Sequence, residues 1–398
     1  MAPLRIGMIF GGRSVEHEVS VLTAHQAMAA LPTDRYTPVP IYISKSGQWF
    51  TGEVLRTLER YKEVDTLLAQ ATPLIFNVNT QQPGLLLEQG QARRGWLGLG
   101  GESSKYASES IDVAFPLIHG SHGEDGTLQG LLDLADLPYT GSDVTASAIG
   151  INKALTKGLL RAAGVPVLEE IYLSRTRWEQ ASKEVVAEVE ARFGYPVFVK
   201  PARLGSSIGV SRAEDSDALA FAIDVAATYD SHFLIEPALE ELIEINCAVL
   251  GDESGAQPSV CEQPISQGLL SYEDKYMSGG KRKGMSGAQR LIPAPLEPDL
   301  TRAIQESALK TFSAIGAAGV SRIDFLVRPA DGMFYVNEIN TLPGSLAFYL
   351  WEASDVSFGE LLHRMIGQAQ TRHKNKQRNM YTFNSNLLST NPLLGAKR

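Results

Sequence analysis

The sequence predicts an α/β fold that begins with a parallel sheet. Apolar, strand-like runs alternate with helical segments along the first 140 residues, which is typical of parallel strands joined by helices. The length of 398 residues fits two or three domains, and 44% hydrophobic with 20% charged residues is typical of a globular chain. No stretch approaches the run of about 20 apolar residues that a membrane span needs.

The first predicted domain covers residues 1–140. Its first strand, residues 4–10, ends at Gly11-Gly12, and Ser14 is placed to cap a helix that runs to about residue 31. Residues 77–110 are polar and glycine-rich, which predicts an insertion or a long loop with short strands. The other predicted elements are strands at about 36–43 and 111–118 and a short helix at 127–134.

Two more domains are predicted, at residues 141–235 and 236–367. The tail, residues 368–398, has a basic cluster and no apolar periodicity, so we expect it to be disordered or loosely docked, with a nucleic-acid-binding arm as the alternative. The predicted elements of these two domains are helices at about 142–163 and 298–315, strands at 195–201 and 233–237, and a hairpin at 319–340.

The hairpin carries the most informative pattern in the chain. Arg322 and Asp324 are two residues apart on one strand, and Glu338 and Asn340 are two apart on the next, so each pair shares a face. Two carboxylates, a carboxamide and a guanidinium on one face suit Mg²⁺ and phosphate. The alternative, ordinary strand charges facing water, is disfavoured by four polar groups on one face of apolar strands.

The shared face depends on the register of the hairpin. Asp324 lies opposite Glu338 only if Arg328 lies opposite Phe334, which needs an odd-length loop or a β-bulge. The turn at residues 340–344 follows at once and can offer backbone N–H groups to an anion.

Residues 200–209 are a second candidate site for phosphate. Lys200 ends a predicted strand, and the glycine-rich loop that follows adds hydroxyl donors from Ser206 and Ser207. Lys153, on the preceding helix, supplies a second cation. The order Gly-x-x-x-x-Gly-Lys-Ser/Thr is absent, so this is not a P-loop, and a plain surface turn stays an alternative for the loop taken alone.

Glu16 lies in the segment 11–20 that follows the first strand. Ligands bind at the carboxyl edge of open α/β sheets, so Glu16 can hold an ammonium group there. A partner for the helix dipole is the alternative. The fingerprint Gly-x-Gly-x-x-Gly is missing, which disfavours a nicotinamide-dependent oxidoreductase.

The net charge and the cysteine content indicate which binding partners and which cellular compartment to expect. A net charge of −9 argues against a nucleic-acid-binding surface. Cys247 and Cys261 both fall in apolar stretches, which predicts reduced core thiols in a reducing compartment. The N-terminus has no basic region followed by an apolar core and cleavage site, so we expect a cytoplasmic protein without membrane contact.

Seven segments, taken in order, resemble the D-alanine–D-alanine ligases, members of the ATP-grasp superfamily. The resemblance implies an N-terminal preATP-grasp, Rossmann-like domain followed by two ATP-grasp α+β domains with ATP between two antiparallel sheets. It also implies ATP and two Mg²⁺ or Mn²⁺ ions as cofactors, D-alanine as substrate, and a homodimer. The matching segments are residues 11–20, 119–126, 139–142, 200–209, 272–276, 322–324 and 337–344.

The same resemblance implies a role for each matching residue. The catalytic set is Glu16, Ser206, Tyr276, Arg322 and Gly344. The ATP-binding set is Lys153, Lys200, Ser206, Ser207, Glu236, Pro237, Leu239, Glu244 and Lys275. The substrate-binding set is Glu16, His119, Glu124, Ser345, Tyr349 and Leu350, and the metal ligands are Asp324, Glu338 and Asn340. The segment 270–290 is the candidate lid.

The chain departs from the family pattern where the second substrate binds. Tyr349 stands where the family has a small hydroxyl residue, so Tyr349 or Ser345 would have to donate the hydrogen bond, and the surrounding aromatic residues can equally be core. Tyr276 matches the dipeptide-forming version of the family, which predicts an amine as acceptor. The alternatives are a ligase that uses D-lactate, D-serine or another amino acid, and a catalytically silent nucleotide-binding protein.

Overall fold

Three sheets organise the part of the chain that the computed structural model describes, residues 2–88, 107–205, 207–265 and 290–383. The first sheet belongs to the N-terminal region, and the other two belong to the central and C-terminal regions. This mixed α/β architecture confirms the predicted fold class. No helix in these described ranges has the length and apolar character needed to cross a membrane.

The first sheet has a parallel centre and an antiparallel extension. β1 runs parallel to both β2 and β7, which confirms the predicted parallel arrangement for these three strands. Each further neighbour, from β3 to β6, pairs antiparallel. The strands are β1 (Leu4–Gly11), β2 (Tyr36–Ile43), β3 (Trp49–Thr51), β4 (Thr72–Phe76), β5 (Leu85–Glu88), β6 (Ala107–Ser110) and β7 (Val113–Pro116), in the spatial order β6-β5-β4-β3-β2-β1-β7.

Helix α1 (His17–Ala30) covers one face of this sheet and fixes the segment that precedes it. Its apolar side, including Val21, Ala24 and Ala27, packs in the same core as Ile6 and Phe10 of β1. Burying such apolar side chains is the main stabilising contribution, at about 1.5–3 kcal/mol for a fully buried large aliphatic or aromatic residue. The other helices of this region are α2 (Val64–Leu68) and α3 (Thr127–Leu134), with 3₁₀ turns at Glu53–Arg56 and Leu58–Glu63.

The second sheet is four-stranded and antiparallel. The helix predicted at 142–163 is two helices, α4 (Val144–Ile151) and α5 (Lys153–Ala162), because Asn152 adopts an extended conformation between them. The Asn152 side chain accepts a hydrogen bond from Leu155 N at 3.2 Å and so caps α5. The strands are β8 (Ile171–Ser174), β9 (Val197–Pro201), β10 (Ser211–Ala213) and β11 (His232–Pro237), in the order β10-β9-β11-β8, with helices α6 (Arg175–Arg192) and α7 (Ser216–Tyr229).

The third sheet is five-stranded and antiparallel and is covered by helix α8 (Pro298–Ala314). Cys247 and Cys261 lie directly opposite each other in it, and both are buried free thiols, as predicted. The strands are β12 (Ile243–Asp252), β13 (Gly255–Pro264), β14 (Arg290–Leu291), β15 (Gly319–Arg328) and β16 (Met333–Asn340), in the order β14-β13-β12-β15-β16.

The hairpin of β15 and β16 contains a β-bulge at Asn337. Asp324 lies opposite Glu338, but the next residue, Phe325, lies opposite Val336, so Asn337 has no partner of its own in the ladder. Arg328 therefore lies opposite Met333 and not opposite Phe334. The bulge lets Val336 enter the core while Glu338, two residues later, lies on the opposite face with Asp324.

The C-terminal helix is longer than the sequence suggested. After the short helix α9 (Phe348–Glu352), helix α10 runs from Phe358 to Lys376, so a disordered or loosely docked tail from residue 368 is wrong as far as residue 376. The apolar stripe of α10 ends at Ala369, and polar bonds hold the remainder. Arg372 donates to the carbonyls of Gly141 (2.5 Å) and Tyr139 (2.9 Å), and Lys376 donates to Asp133.

Candidate functional site

Asp324 and Glu338, the acidic residues of the hairpin, lie together on the side of the third sheet that faces the second sheet. The guanidinium of Arg322 donates two hydrogen bonds to the Asp324 carboxylate, at 2.6 and 2.7 Å, and the Asn340 amide donates to the same carboxylate at 3.1 Å. Arg322 lies opposite Asn340, and Asp324 lies opposite Glu338. The structure thus brings together all four polar groups that were predicted to share a face.

Arg322 is a permanently charged group that is largely enclosed, with 11% of its side chain exposed. Burial is the largest influence and acts to lower its pKa, but attraction to Asp324 and the hydrogen bonds to it outweigh burial, so the pKa is raised above its usual value. Tyr349 and Glu262 add to the same effect. A fixed cation held in a low-dielectric cleft is suited to stabilise negative charge that develops beside it.

Lys153 connects the hairpin to the loop after β9. Its ammonium lies 3.3 Å from the Glu338 carboxylate and donates to the Leu204 carbonyl at 2.6 Å. Its position at the start of α5 is a direct result of the Asn152 cap. Lys153 therefore faces the acidic hairpin across the cleft, as its sequence position suggested.

Lys200 belongs to a buried charge triad with Glu236 and Lys157. Glu236 accepts hydrogen bonds from Lys200 (2.6 Å) and from Lys157, and Lys200 also donates to Asn337 at the bulge (3.1 Å). Burial is the largest influence and acts to raise the pKa of Glu236, but the two lysines outweigh it and lower that pKa to about 2. The sequence reasoning missed Lys157, although its spacing of four from Lys153 on one helix was a usable signal.

A cavity of about 590 Å³ lies between the second and third sheets beside this triad. Phe198 of β9 and Leu326 of β15 give it one apolar wall from each sheet, which suits a flat heterocycle. The predicted ATP-binding residues Glu236, Pro237, Leu239 and Glu244 all line it. Glu244 also lines the cavity that contains Arg322, Asp324 and Glu338, so the two cavities adjoin each other at this residue.

Glu16 is buried at the N-terminal end of α1 and lines the inner part of the cleft. Gly120 and Gly205 allow the chain to approach it closely. A Cβ on Gly120, whose φ is +72°, would lie 2.5 Å from Glu16 Oε2, and one on Gly205 would lie 3.5 Å away. A side chain at position 120 would therefore displace the Glu16 carboxylate.

Glu124 lies close to Glu16 and is fully enclosed. Its carboxylate accepts backbone hydrogen bonds from Gly120 (2.8 Å) and Leu342 (3.1 Å). Burial first, and then the charge of Glu16, raise its pKa to about 8. Glu124 thus joins the loop after β7 to the loop after β16, on either side of the cleft.

His119 makes a second link between the same two loops. The Leu342 carbonyl can only accept, so Nδ1 of His119 carries the proton and donates to it at 3.0 Å. Nε2 then accepts from the Thr23 hydroxyl at 2.9 Å, and Thr23 accepts from Ser345 N at 3.1 Å. Burial is the main reason that the pKa of His119 is lowered to about 4, which keeps the ring neutral.

The segment after Gly344 has an unusual backbone. Ser345, Leu346 and Ala347 all have φ near +50°, in the left-handed region that non-glycine residues avoid. Gly344 lines the cleft, but Ser345 and Leu350 do not, and the Leu350 side chain is fully buried in the core. Of the three residues predicted to bind a second substrate, the structure brings only Tyr349 to the cavity wall.

Tyr349 meets a polar cluster that the sequence did not reveal. Its hydroxyl donates to Glu262 at 2.8 Å, and burial is the main cause of its raised pKa. Glu262 also accepts from Asn246 (3.0 Å) and from Arg290 (3.2 Å), whose guanidinium lies 4.1 Å above the Tyr349 ring. All four side chains line the same cleft as Arg322. They are far apart in sequence, so no spacing pattern pointed to them.

The hairpin fits a divalent metal that binds through oxygen. Asp324 and Glu338 face each other directly, and Asn340 adds a carboxamide, which is the oxygen-rich donor set that Mg²⁺ prefers. Within the described ranges no group of three or more His, Cys, Asp or Glu side chains converges on one point. A metal held here would therefore need oxygen ligands from a phosphate as well.

Three predicted site residues, Ser206, Lys275 and Tyr276, lie outside the described residues, as does the predicted lid except for Arg290. Their roles stay predictions. Ser207 lines the same small pocket as Lys153 and Lys200.

Two family models match almost the whole chain. The model described as D-ala D-ala ligase N-terminus matches residues 5–142, and the model described as D-ala D-ala ligase C-terminus matches residues 159–367. Together they cover all three sheets.

Relatives of known name match over nearly their full length. The chain is 36% identical to a D-alanine–D-alanine ligase of Thermosipho melanesiensis, over 97% of this chain and 98% of that protein. It is 37% identical to a D-alanine–D-alanine ligase of Heliobacterium modesticaldum, over 94% of this chain and 96% of that protein.

Solved structures give the same result. The structure of a D-alanine–D-alanine ligase from Coxiella burnetii has a TM-score of 0.77 and 29% identity, covering 95% of this chain and 97% of that one. A D-Ala:D-Ser ligase from Enterococcus faecalis has a TM-score of 0.76 and 29% identity, covering 92% and 99%. The fold is therefore shared with ligases that differ in their second amino acid.

Proposed function

The chain belongs to the D-alanine–D-alanine ligase family, and we propose that it uses ATP to join two D-alanine molecules into D-alanyl-D-alanine for peptidoglycan precursor synthesis. The observation that carries this proposal is the arrangement across the cleft. Lys153 and Lys200 lie on one side, and Asp324, Glu338 and Asn340 lie opposite on the hairpin. The acidic and basic groups can enclose a polyphosphate and its metal between them.

The chemistry begins with activation of a carboxylate. A carboxylate oxygen of the first D-alanine attacks the γ-phosphorus of ATP, which gives an acyl phosphate and releases ADP. Lys153 and Lys200 would bind the phosphate oxygens, and Glu16 would hold the ammonium of the first D-alanine. Mg²⁺ bound by Asp324, Glu338 and Asn340 would neutralise phosphate charge.

The second step forms the peptide bond. The amine of the second D-alanine, having lost a proton, attacks the acyl carbon, and inorganic phosphate leaves with the C–O bonding electrons. The oxyanion that forms in between would be held by the Arg322 guanidinium and the backbone N–H of Gly344. Arg322 is suited to this role because Asp324 fixes its plane with two hydrogen bonds. Because acyl phosphates hydrolyse, the predicted lid over the cleft would exclude water.

The activity can be tested with purified protein. ADP release is measured with ATP, Mg²⁺ and D-alanine, and the product is identified by mass. The dipeptide is the expected product, and an absence of D-alanine-dependent ADP release would contradict the proposal. D-serine and D-lactate, offered as acceptors beside D-alanine, test the alternative. Preferential ester formation from D-lactate at neutral pH would exclude D-alanine as the preferred acceptor.

Two further properties stay predictions from the family resemblance, a homodimer and a cytoplasmic location. Sedimentation equilibrium at several protein concentrations measures the first. A mass of one chain, about 43 kDa, at every concentration would contradict it.

A further inference from the structure

We propose that Lys157 sets the positive charge that the phosphates of a bound nucleotide meet, although it acts on them only through Glu236 and Lys200. Lys157 is thus a positioning residue, and it works by sharing the Glu236 carboxylate with Lys200. This inference rests on the proposed ligase function and deepens it, because it concerns how the same cavity distinguishes a polyphosphate from an uncharged nucleoside.

The three side chains form a row that leads from the interior to the cavity. Lys157, with 2% of its side chain exposed, donates to Oε1 of Glu236. Lys200 donates to Oε2 of the same carboxylate at 2.6 Å. Within this described triad, Glu236 and Lys200 line the cavity between the second and third sheets, whereas Lys157 does not. Lys157 is therefore separated from a ligand in that cavity by its two neighbours.

Helix α5 holds Lys157 in this interior position. Lys153 starts the helix, and Lys157 follows one turn later on the same face. Thr156 and Leu160, which flank it, are also buried. The Lys157 ammonium donates to the Leu168 carbonyl at 3.4 Å in addition to Glu236. The side chain is thus held against Glu236 and does not compete with Lys200 for the nucleotide.

The triad carries one net positive charge, since one carboxylate lies between two ammonium groups. Without Lys157, the carboxylate of Glu236 would neutralise Lys200 alone, and both of its oxygens could accept from that single ammonium. Lys200 would then face the phosphates as half of a neutral ion pair. Because the triad is largely enclosed, the loss of one charge nearby is felt strongly at the phosphates.

The ionisation of the triad agrees with this account. Burial acts to raise the pKa of Glu236, but the two lysines lower that pKa to about 2, so the carboxylate is charged at neutral pH. Burial is also the largest influence on Lys157 and lowers its pKa, whereas Glu236 acts to raise it. Direct contact with an ionised carboxylate favours the ammonium form of Lys157.

Equilibrium binding of two nucleotide fragments tests the proposal. Isothermal titration calorimetry gives Kd for adenosine and for β,γ-methylene-ATP with Mg²⁺, both without D-alanine. We define the phosphate preference as Kd for adenosine divided by Kd for the triphosphate analogue. In Lys157→Met the phosphate preference should fall roughly 10-fold, while Kd for adenosine stays within about twofold of wild type.

A charge series separates an electrostatic role from a structural one. Glu236→Gln leaves two positive charges on the triad and should raise the phosphate preference roughly 10-fold. The double variant Lys157→Met with Glu236→Gln returns the triad to one positive charge, so its phosphate preference should lie within about threefold of wild type. If Lys157 were only structural, the double variant would bind the analogue more weakly than Lys157→Met.

Two more variants complete the experiment. Lys157→Gln keeps a hydrogen-bond donor for Glu236 without the charge, and it should lose as much phosphate preference as Lys157→Met. It also decides the question if Lys157→Met does not fold. Lys183→Met is the matched control, because Lys183 is exposed on α6 and its charge is screened by salt, so the phosphate preference should change by less than about twofold.

An unchanged phosphate preference in Lys157→Met and Lys157→Gln would overturn the proposal. Equal weakening of adenosine and the triphosphate analogue would overturn it too, because that result indicates a distorted cavity. Failure of the ligase function has a different signature, since the wild-type protein would then form no dipeptide from ATP and D-alanine. Failure of this proposal leaves dipeptide formation by the wild-type protein intact and removes only the order of the charge series.

Discussion

Replacing Glu236 by glutamine should destabilise the folded protein by about 3 kcal/mol. Glu236 is the counterion of two lysines in the interior, and the side chains of Glu236 and Lys157 are each only 2% exposed. Glutamine keeps the shape and one acceptor oxygen but removes the charge. Lys157 and Lys200 would then lie close together in a low-dielectric region without a carboxylate between them.

The size of the effect follows from the contacts that remain. Breaking a buried ion pair by removing one partner costs about 3–5 kcal/mol. Lys200 keeps Asn337 (3.1 Å) and Lys157 keeps the Leu168 carbonyl (3.4 Å), so we expect the lower end of that range. Removing one cation as well should recover part of the loss, so Lys157→Met combined with Glu236→Gln should be less destabilised than the sum of the single variants.

The effect should also depend on pH. The pKa of Glu236 falls from its usual value of 4.5 to about 2 in the folded protein, so the stability that it contributes is fully present above pH 4.5. That contribution is lost as the pH falls toward 2. The difference in the free energy of unfolding between wild type and Glu236→Gln should therefore become smaller as the pH falls from 4.5 toward 2.

Urea unfolding followed by tryptophan fluorescence measures both effects. Glu306→Gln is the matched control, because Glu306 is exposed on α8 and should change the free energy of unfolding by less than about 0.5 kcal/mol. The reasoning would be refuted if Glu236→Gln lost less than about 1 kcal/mol of unfolding free energy. It would also be refuted if that loss were the same at pH 7 and at pH 3.

Four further changes test the site. Arg322→Ala should lower kcat for ADP release by roughly 10²–10³, because the oxyanion loses a fixed cation. Glu338→Gln should abolish Mg²⁺-dependent phosphate release while the circular dichroism spectrum stays unchanged. Thr23→Val should cost about 1–3 kcal/mol in urea unfolding, because His119 Nε2 and Ser345 N–H stay buried without this partner. Glu124→Gln should gain stability relative to wild type as the pH rises from about 5 to 8, because a raised pKa makes the wild-type protein lose stability across that range.

Each of these four predictions has an outcome that would contradict it. An intact kcat in Arg322→Ala would limit that residue to a structural role, and normal turnover in Glu338→Gln would remove it from the metal site. Thr23→Val with unchanged stability would mean that water replaces the hydroxyl. If the difference in unfolding free energy between Glu124→Gln and wild type stayed constant from pH 5 to pH 8, the pKa of Glu124 would not be raised.

Local sequence patterns predicted the elements whose periodicity is strong. The strands at residues 4–11 and 36–43, the helix at 127–134 and the two strands of the hairpin lie within a residue or so of their expected positions. The break at Asn152 and the extension of α10 to residue 376 were missed. Both depend on hydrogen bonds to polar groups, which apolar periodicity does not record.

The site was predictable where its residues share one strand or one turn. Side chains two residues apart on a strand share a face, which predicted that Arg322 lies beside Asp324 and that Glu338 lies beside Asn340. The structure brings these two pairs together. Lys157, Glu262 and Arg290 were missed because their partners come from other strands and helices. Spacing along the chain predicts which residues share one face of a strand or helix. Tertiary packing decides which of these faces lie against each other.

The bulge at Asn337 connects the hairpin to the second sheet. Deleting Asn337 would make Val336 and Glu338 direct neighbours in a regular ladder, still opposite Phe325 and Asp324, because neighbouring strand residues point to opposite faces. The proposed metal ligands would then keep their positions, but Lys200 would lose the acceptor that Asn337 offers it at 3.1 Å. The extra residue in β16 therefore supports the lysine of the proposed phosphate site and is dispensable for the alignment of the two carboxylates.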